Sequence, residues 1–296
     1  MATSRLITRT VAATITGPLE RMVGSLDCRG KGTNHPLPQV DPVVLCEVAV
    51  VTGKDLPPFG LHPHHGVIAV TTVLEGVFED RDNINGESDQ LQLAGGVYAV
   101  SAGKGVCHEE KTHTDGRHRA IQTVFKIPDD KLDLLPVLVK AAEKDIPVVK
   151  LDGGVARVML GRLGKVESPA RLQSLPRVVI LRIKIEAGKR MKVPLDEDFE
   201  HGLVFVISGG CKLGEEGVPA KEGGGCFLFG DGGDLMIETG PEEEAEVFLV
   251  AAKPTGEPWV KMLGRNGFIV TKNEQEAEKV MEVINKFGDE FTFQKF

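Results

Sequence analysis

Short runs of β-branched and aliphatic residues recur along the whole chain, at 43–51, 66–74, 97–100, 120–127, 155–159, 178–185, 203–207, 226–229 and 246–251, and Gly, Pro, Asn or Asp separate most of them. Runs of four to nine residues are too short for most helices and right for strands, so this punctuation predicts an all-β barrel or sandwich. The 35 glycines supply the turns. At 296 residues the chain exceeds what one small core organises, and two compact units are expected.

An internal echo supports that division. His65-Gly66-Val67-Ile68 matches His201-Gly202-Leu203-Val204, and the stretch 95–103 matches 224–232, in the same order and at similar spacing. We therefore divide the chain into an N-terminal unit, 1–140, and a C-terminal unit, 141–296. Helical signals are few. Asn273 caps a helix in which Glu276 completes a capping box, Ala277, Val280, Ile284 and Phe287 share a face, and Gly288 is the stop. A weaker helix is expected over 137–144, between Pro136 and Pro147, as the connection between the units.

Net charge is −8 and no Lys/Arg block resembles the stripe a phosphate backbone requires, which argues against direct nucleic-acid binding. The five cysteines are scattered without a CxxC pair, a pattern that fits reduced thiols and excludes a zinc ribbon. No apolar run approaches the roughly 20 residues that span a bilayer. The expected location is intracellular and cytoplasmic, with a nuclear or organellar one as the alternative. The stretch 1–19, with Arg5 and Arg9 and no acid before Glu20, reads as a strand more simply than as a transit peptide. A monomer is expected.

The chemistry lies in two triplets. His62-Pro63-His64 places two imidazoles two residues apart, and in extended backbone such side chains share a face. Pro63 favours that backbone for His62 and keeps the segment at a strand start or edge. After the glycine turn at 103–105, His108-Glu109-Glu110 offers a second same-face pair. Together His62, His64, His108 and Glu110 make a three-imidazole, one-carboxylate set. Such a mixed set suits Fe2+, Mn2+, Ni2+ or Cu2+, and a six-coordinate iron would keep two positions open. Zn2+ would be closed off by the four ligands alone. Single histidines of this kind are mostly ordinary loop residues; two pairs at period two, each beside glycine turns, are not so easily dismissed. Carried through the repeat, the four positions become Asp198, Glu200, Ile237 and Thr239, which cannot build the same site.

The run His62-Pro63-His64-His65-Gly66, then Leu74-Glu75-Gly76, then Ala102-Gly103-Lys104-Gly105 with His108-x-Glu110, resembles the signature of the pirins and pirin-like quercetin dioxygenases. The segment 266–274 resembles the stretch leading into that family's last helix. The resemblance implies two tandem cupin barrels (double-stranded β-helix, jelly-roll) with a C-terminal helix, iron on the four named ligands, and a metal-free second barrel. It departs from the family at His65, where Arg is usual, and at Glu109, where a small residue is usual.

Three functions compete. The first is an iron-dependent dioxygenase acting on a quercetin-like or other phenolic chelator, with Glu110 as proton acceptor. The second is a non-catalytic redox-responsive iron protein acting in transcriptional co-regulation through a protein partner. The third is a barrel that keeps its metal for stability. Gln122, on the strand after the metal motif, and His65, facing away from His64, are outer-shell candidates. Cys107 should point away from the site. His113 and His118 are expected in a solvent-exposed loop, and 242–246 reads as a solvated acidic turn.

Overall fold

A computed structural model describes residues 40–57, 59–84, 90–230, 233–264 and 267–286, and the backbone of the strands at 6–12, 14–16 and 19–21. Each of the nine expected runs contains a strand, and the strands build two antiparallel barrels of two sheets each. In the first barrel one sheet runs in the order Val137–Ala141, Val97–Ser101, Val67–Glu75, Arg117–Lys126, Val43–Thr52. The other runs Phe59–His64, Val106–Thr112, Val77–Asp82, Gln90–Leu93. The second barrel repeats this with Gly224–Phe229, His201–Ser208, Ala245–Ala252 and Val178–Ile185 facing Arg190–Val193, Leu235–Thr239, Gly210–Leu213 and Val218–Lys221.

The pleat sorts each strand's residues between two cores. Val67 and Ala69 face the interior of the first barrel with Val44, Val100 and Val124. Ile68 and Val70, from the other face of the same strand, join Ile180, Leu203, Phe205 and Phe248 in a core between the barrels. A third core, around Met191, Leu213, Ile237 and Leu249, fills the second barrel. Strands apolar on both faces are what such a buried central layer requires.

The chain ends cross over. The backbone of Leu6–Ala12 pairs with Gly224–Phe229 and so extends the second barrel's sheet. The hairpin of Val260–Gly264 and Gly267–Thr271, with the helix Glu274–Lys286, lies against the first barrel, where His65 bridges Ile269. The helix is capped as the sequence implies: Asn273 Oδ1 accepts the Glu276 N–H at 2.9 Å. The reciprocal bond from Glu276 reaches the Lys272 amide, one residue earlier than a standard capping box. Phe287 and Gly288 lie outside the described residues.

Two expectations need correction. Residues 137–144 are not a helix but the strand Val137–Ala141, paired with Val97–Ser101, followed by a short 3-10 turn at Glu143–Asp145. The open edge of that sheet and the β-branched Val137 and Val139 outweigh the Lys-rich helical pattern. The echo in the sequence aligns the correct strands, since Val67–Glu75 beside Val97–Ser101 corresponds to His201–Ser208 beside Gly224–Phe229. Yet Asp198 and Glu200 are not the counterparts of the first histidine pair. Just as His62 pairs with His108, Met191 pairs with Ile237, so Met191 and Val193 hold those places. The longer link at 194–200 displaced the alignment.

Candidate metal centre

His62 and His64 stand on the edge strand Phe59–His64 and His108 on its neighbour, Val106–Thr112, where His108 pairs directly with His62. Period-two geometry turns all three rings into the barrel, and they are 4%, 3% and 1% exposed. Their ring centroids are 4.4, 4.7 and 5.0 Å apart, and one nitrogen from each lies within 4.8 Å of the others. Among the described residues this is the only such group of three. A bulge separates the pairings of His108 and Glu110. Glu110 is 2% exposed, beside His108 on the same strand face, with Oε2 buried and without a hydrogen bond.

The outer nitrogens fix the rings. His62 Nδ1–H donates to the Gly60 carbonyl at 2.6 Å, and His108 Nδ1–H to Asp80 Oδ2 at 2.8 Å. The Phe268 N–H donates to His64 Nδ1 at 3.2 Å, and the His64 and Phe268 rings stack at 6.0 Å. His62 Nε2 and His64 Nε2 face each other at 3.0 Å, with His64 donating, so a cation entering here takes the place of that proton. His108 Nε2 is buried without a hydrogen-bond partner.

Burial pushes His62 down to about 3, with the charge of His108 acting the same way and the Gly60 carbonyl opposing it. His64 is also held well below the ordinary histidine value, by burial and then by both other rings. Burial opposes the charge on His108 too, but Asp80, followed by Glu110 and Asp82, outweighs it and raises His108 to about 9. Burial lifts the Glu110 carboxyl above the usual carboxylate range, against the pull of His108.

Thr71 Oγ1 lies 2.9 Å from Glu110 Oε1 and 2.6 Å from Gln122 Oε1. The Thr71 hydroxyl donates to Glu110, and its oxygen also lies against the Gln122 amide, so the three side chains form one buried polar chain. Gln122 adjoins the candidate site through Thr71. His65 does face away; its Nδ1 bonds the Lys104 carbonyl at 2.9 Å. Cys107 points to the opposite face, under Ile269 and Ile284. His113 is partly exposed beside Glu79, but His118 is not in solvent. It is fully buried against Phe78, its Nδ1 bonded to the Gly116 carbonyl, because the strand Arg117–Lys126 starts one residue before it and turns its ring inward.

Asp80, Tyr98, Thr71 and the Phe268 amide were not singled out by sequence reasoning. Asp80 could have been found from the alternation in Val77–Asp82, where it falls on the inward face. No helix of the described residues is long and apolar enough to cross a membrane.

The pirin family profile matches residues 38–124, the segment that carries all four candidate ligands. A pirin-like protein of Caulobacter vibrioides is 28% identical over 199 residues, 67% of this chain and 69% of that protein. A structure titled quercetin 2,3-dioxygenase from Acinetobacter baumannii superposes with a TM-score of 0.80 at 18% identity, covering 96% of this chain and 98% of that one. A bacterial pirin from Escherichia coli, YhhW, solved in complex with nickel(II), gives a TM-score of 0.60 at 17% identity, over 86% of this chain and 100% of its own. With two tandem cupin barrels and a buried histidine triad, the chain is similar to pirin-like proteins, and its segment 38–124 matches the pirin family profile.

Proposed function

We propose that His62, His64, His108 and Glu110 hold one iron ion in the N-terminal unit, 1–140, and that the site oxygenates a quercetin-like or other phenolic chelator. The observation that carries this reading is the set of three buried imidazoles presenting nitrogens to one point. The donor set fits such an ion: burial keeps the His62 and His64 rings neutral at pH 7, as ligation requires, and His108 would give up its inner proton on loading. The ion, when bound, supplies Lewis acidity toward a chelating hydroxyl and redox chemistry toward dioxygen.

The chain's own contribution is proton management and exclusion of water. Glu110, with its raised pKa, can accept a proton from a phenolic hydroxyl near neutral pH. Thr71 and Gln122 give that proton a place to be shared. In the second unit, 141–296, Met191, Val193 and Ile237 fill the corresponding positions with apolar side chains, which supports a non-metal role there.

The test is oxygen consumption with quercetin by iron-loaded protein, alongside metal analysis. The expected result is one ion per chain and turnover that falls by at least ~100-fold in His62→Ala. Equal oxygen uptake by wild type and variant would overturn the assignment.

A further inference from the structure

Behind His108 lies a second pair of buried polar groups that the proposed chemistry does not use. Asp80 and Tyr98 are 0% and 2% exposed, on strands from opposite sheets of the barrel. Asp80 Oδ2 accepts the His108 Nδ1–H at 2.8 Å, and Asp80 Oδ1 accepts the Tyr98 hydroxyl at 2.9 Å. Both carboxylate oxygens are thereby engaged, and the His108 ring can neither flip nor swing without breaking a charge-assisted bond. Its other nitrogen, Nε2, is buried and without a hydrogen-bond partner, beside the rings of His62 and His64.

The three histidines differ in this respect. His62 donates to a backbone carbonyl and a backbone amide donates to His64, whereas the outer nitrogen of His108 bonds a carboxylate. From this geometry we infer that Asp80, locked by Tyr98, is the positioning residue of the site: it fixes His108 with its proton on Nδ1 and its Nε2 lone pair presented to the cation. A carboxylate in that place also makes the imidazole a stronger donor, so Asp80 sets how tightly the site takes a divalent cation. Tyr98 is the only tyrosine in the chain, which makes its environment readable by absorbance.

The inference rests on the metal reading proposed above, and the experiment separates the two. Chelator-treated protein is titrated with Ni2+ in wild-type, Asp80→Ala, Asp80→Asn and Tyr98→Phe forms, and the His108 Nδ1-bound proton is followed by NMR before and after loading. Asp80→Ala should weaken Ni2+ binding ~10–100-fold and abolish the low-field proton signal. Asp80→Asn, which keeps an acceptor but not the charge, should fall between Asp80→Ala and wild type, and should shift both that proton and the ligand-field bands of the loaded protein. A general loss of structure would not move those bands in folded protein. In a His108→Ala background, Asp80→Ala should change affinity no further. Should Asp80→Ala fail to fold, Asp80→Asn and Tyr98→Phe carry the test. If wild type takes no Ni2+, the metal reading fails, and the NMR comparison in ion-free protein still decides whether Asp80 holds His108. Wild-type affinity within twofold in the aspartate variants, with the proton signal unchanged, would overturn the inference.

Discussion

Cys46, Cys211 and Cys226 each sit in a core, and burial above all pushes their thiols up to about 12. A raised thiol pKa means the unfolded chain releases its protons first, so these groups cost stability only as pH climbs past about 9. At pH 8 they should be inert: in a Cys28→Ser protein, a disulfide reagent should titrate almost nothing until denaturant is added. Fast reaction of the native protein would contradict the burial. His62 works in the opposite window. Its folded value lies near 3 and its unfolded value near 6.5, so ion-free protein should lose stability as pH falls from about 6.5 toward 3. A His62→Gln variant should show a shallower decline in urea melts over that range. The clustering of His62, His64 and His108 was legible in the sequence because side chains at period two must share a strand face. Asp80 was passed over despite its place in the alternation, because Glu79, Asp80, Arg81 and Asp82 together look like a solvated charged strand until the barrel closes over them. His118 was misplaced for a related reason, since polar neighbours such as Thr114, Asp115 and Gly116 hide the inward turn of the strand that follows.

Among the elements, the C-terminal hairpin has the most exacting fit. A Cβ added at Gly267 would stand 1.7 Å from the Pro63 carbonyl oxygen, and one at Gly66 would stand 2.0 Å from that of Val270. Two glycines thus let Gly267–Thr271 come close enough for the Phe268 N–H to reach His64. Gly267→Ala must push the hairpin off the barrel. It should cost about 2–3 kcal/mol in chemical denaturation and weaken Ni2+ binding measurably, a combination that a surface-loop change would not give. The helix that follows was readable from Asn273 and Glu276, whose side chains meet backbone amides as capping chemistry demands. The strand Val137–Ala141 was not readable, because what decides it is an open sheet edge supplied by residues 97–101, far away in the sequence.

At the scale of the whole molecule, the core between the barrels ties the two together, and polar links reinforce it: Arg119 to the Ile207 carbonyl at 3.1 Å, and Asp41 Oδ1 to Thr255 at 2.9 Å. Shared burial of this extent predicts one cooperative unfolding transition, with calorimetric and van't Hoff enthalpies in agreement. Two resolved transitions would show the barrels to be independent. The crossing of the chain ends has a further consequence for biosynthesis. Because the ribosome delivers the histidine triplets well before the hairpin that braces His64, nascent chains carry an unfinished pocket. The pocket can therefore close only after both segments have left the ribosome, so its completion follows synthesis of the hairpin and not of the triplets.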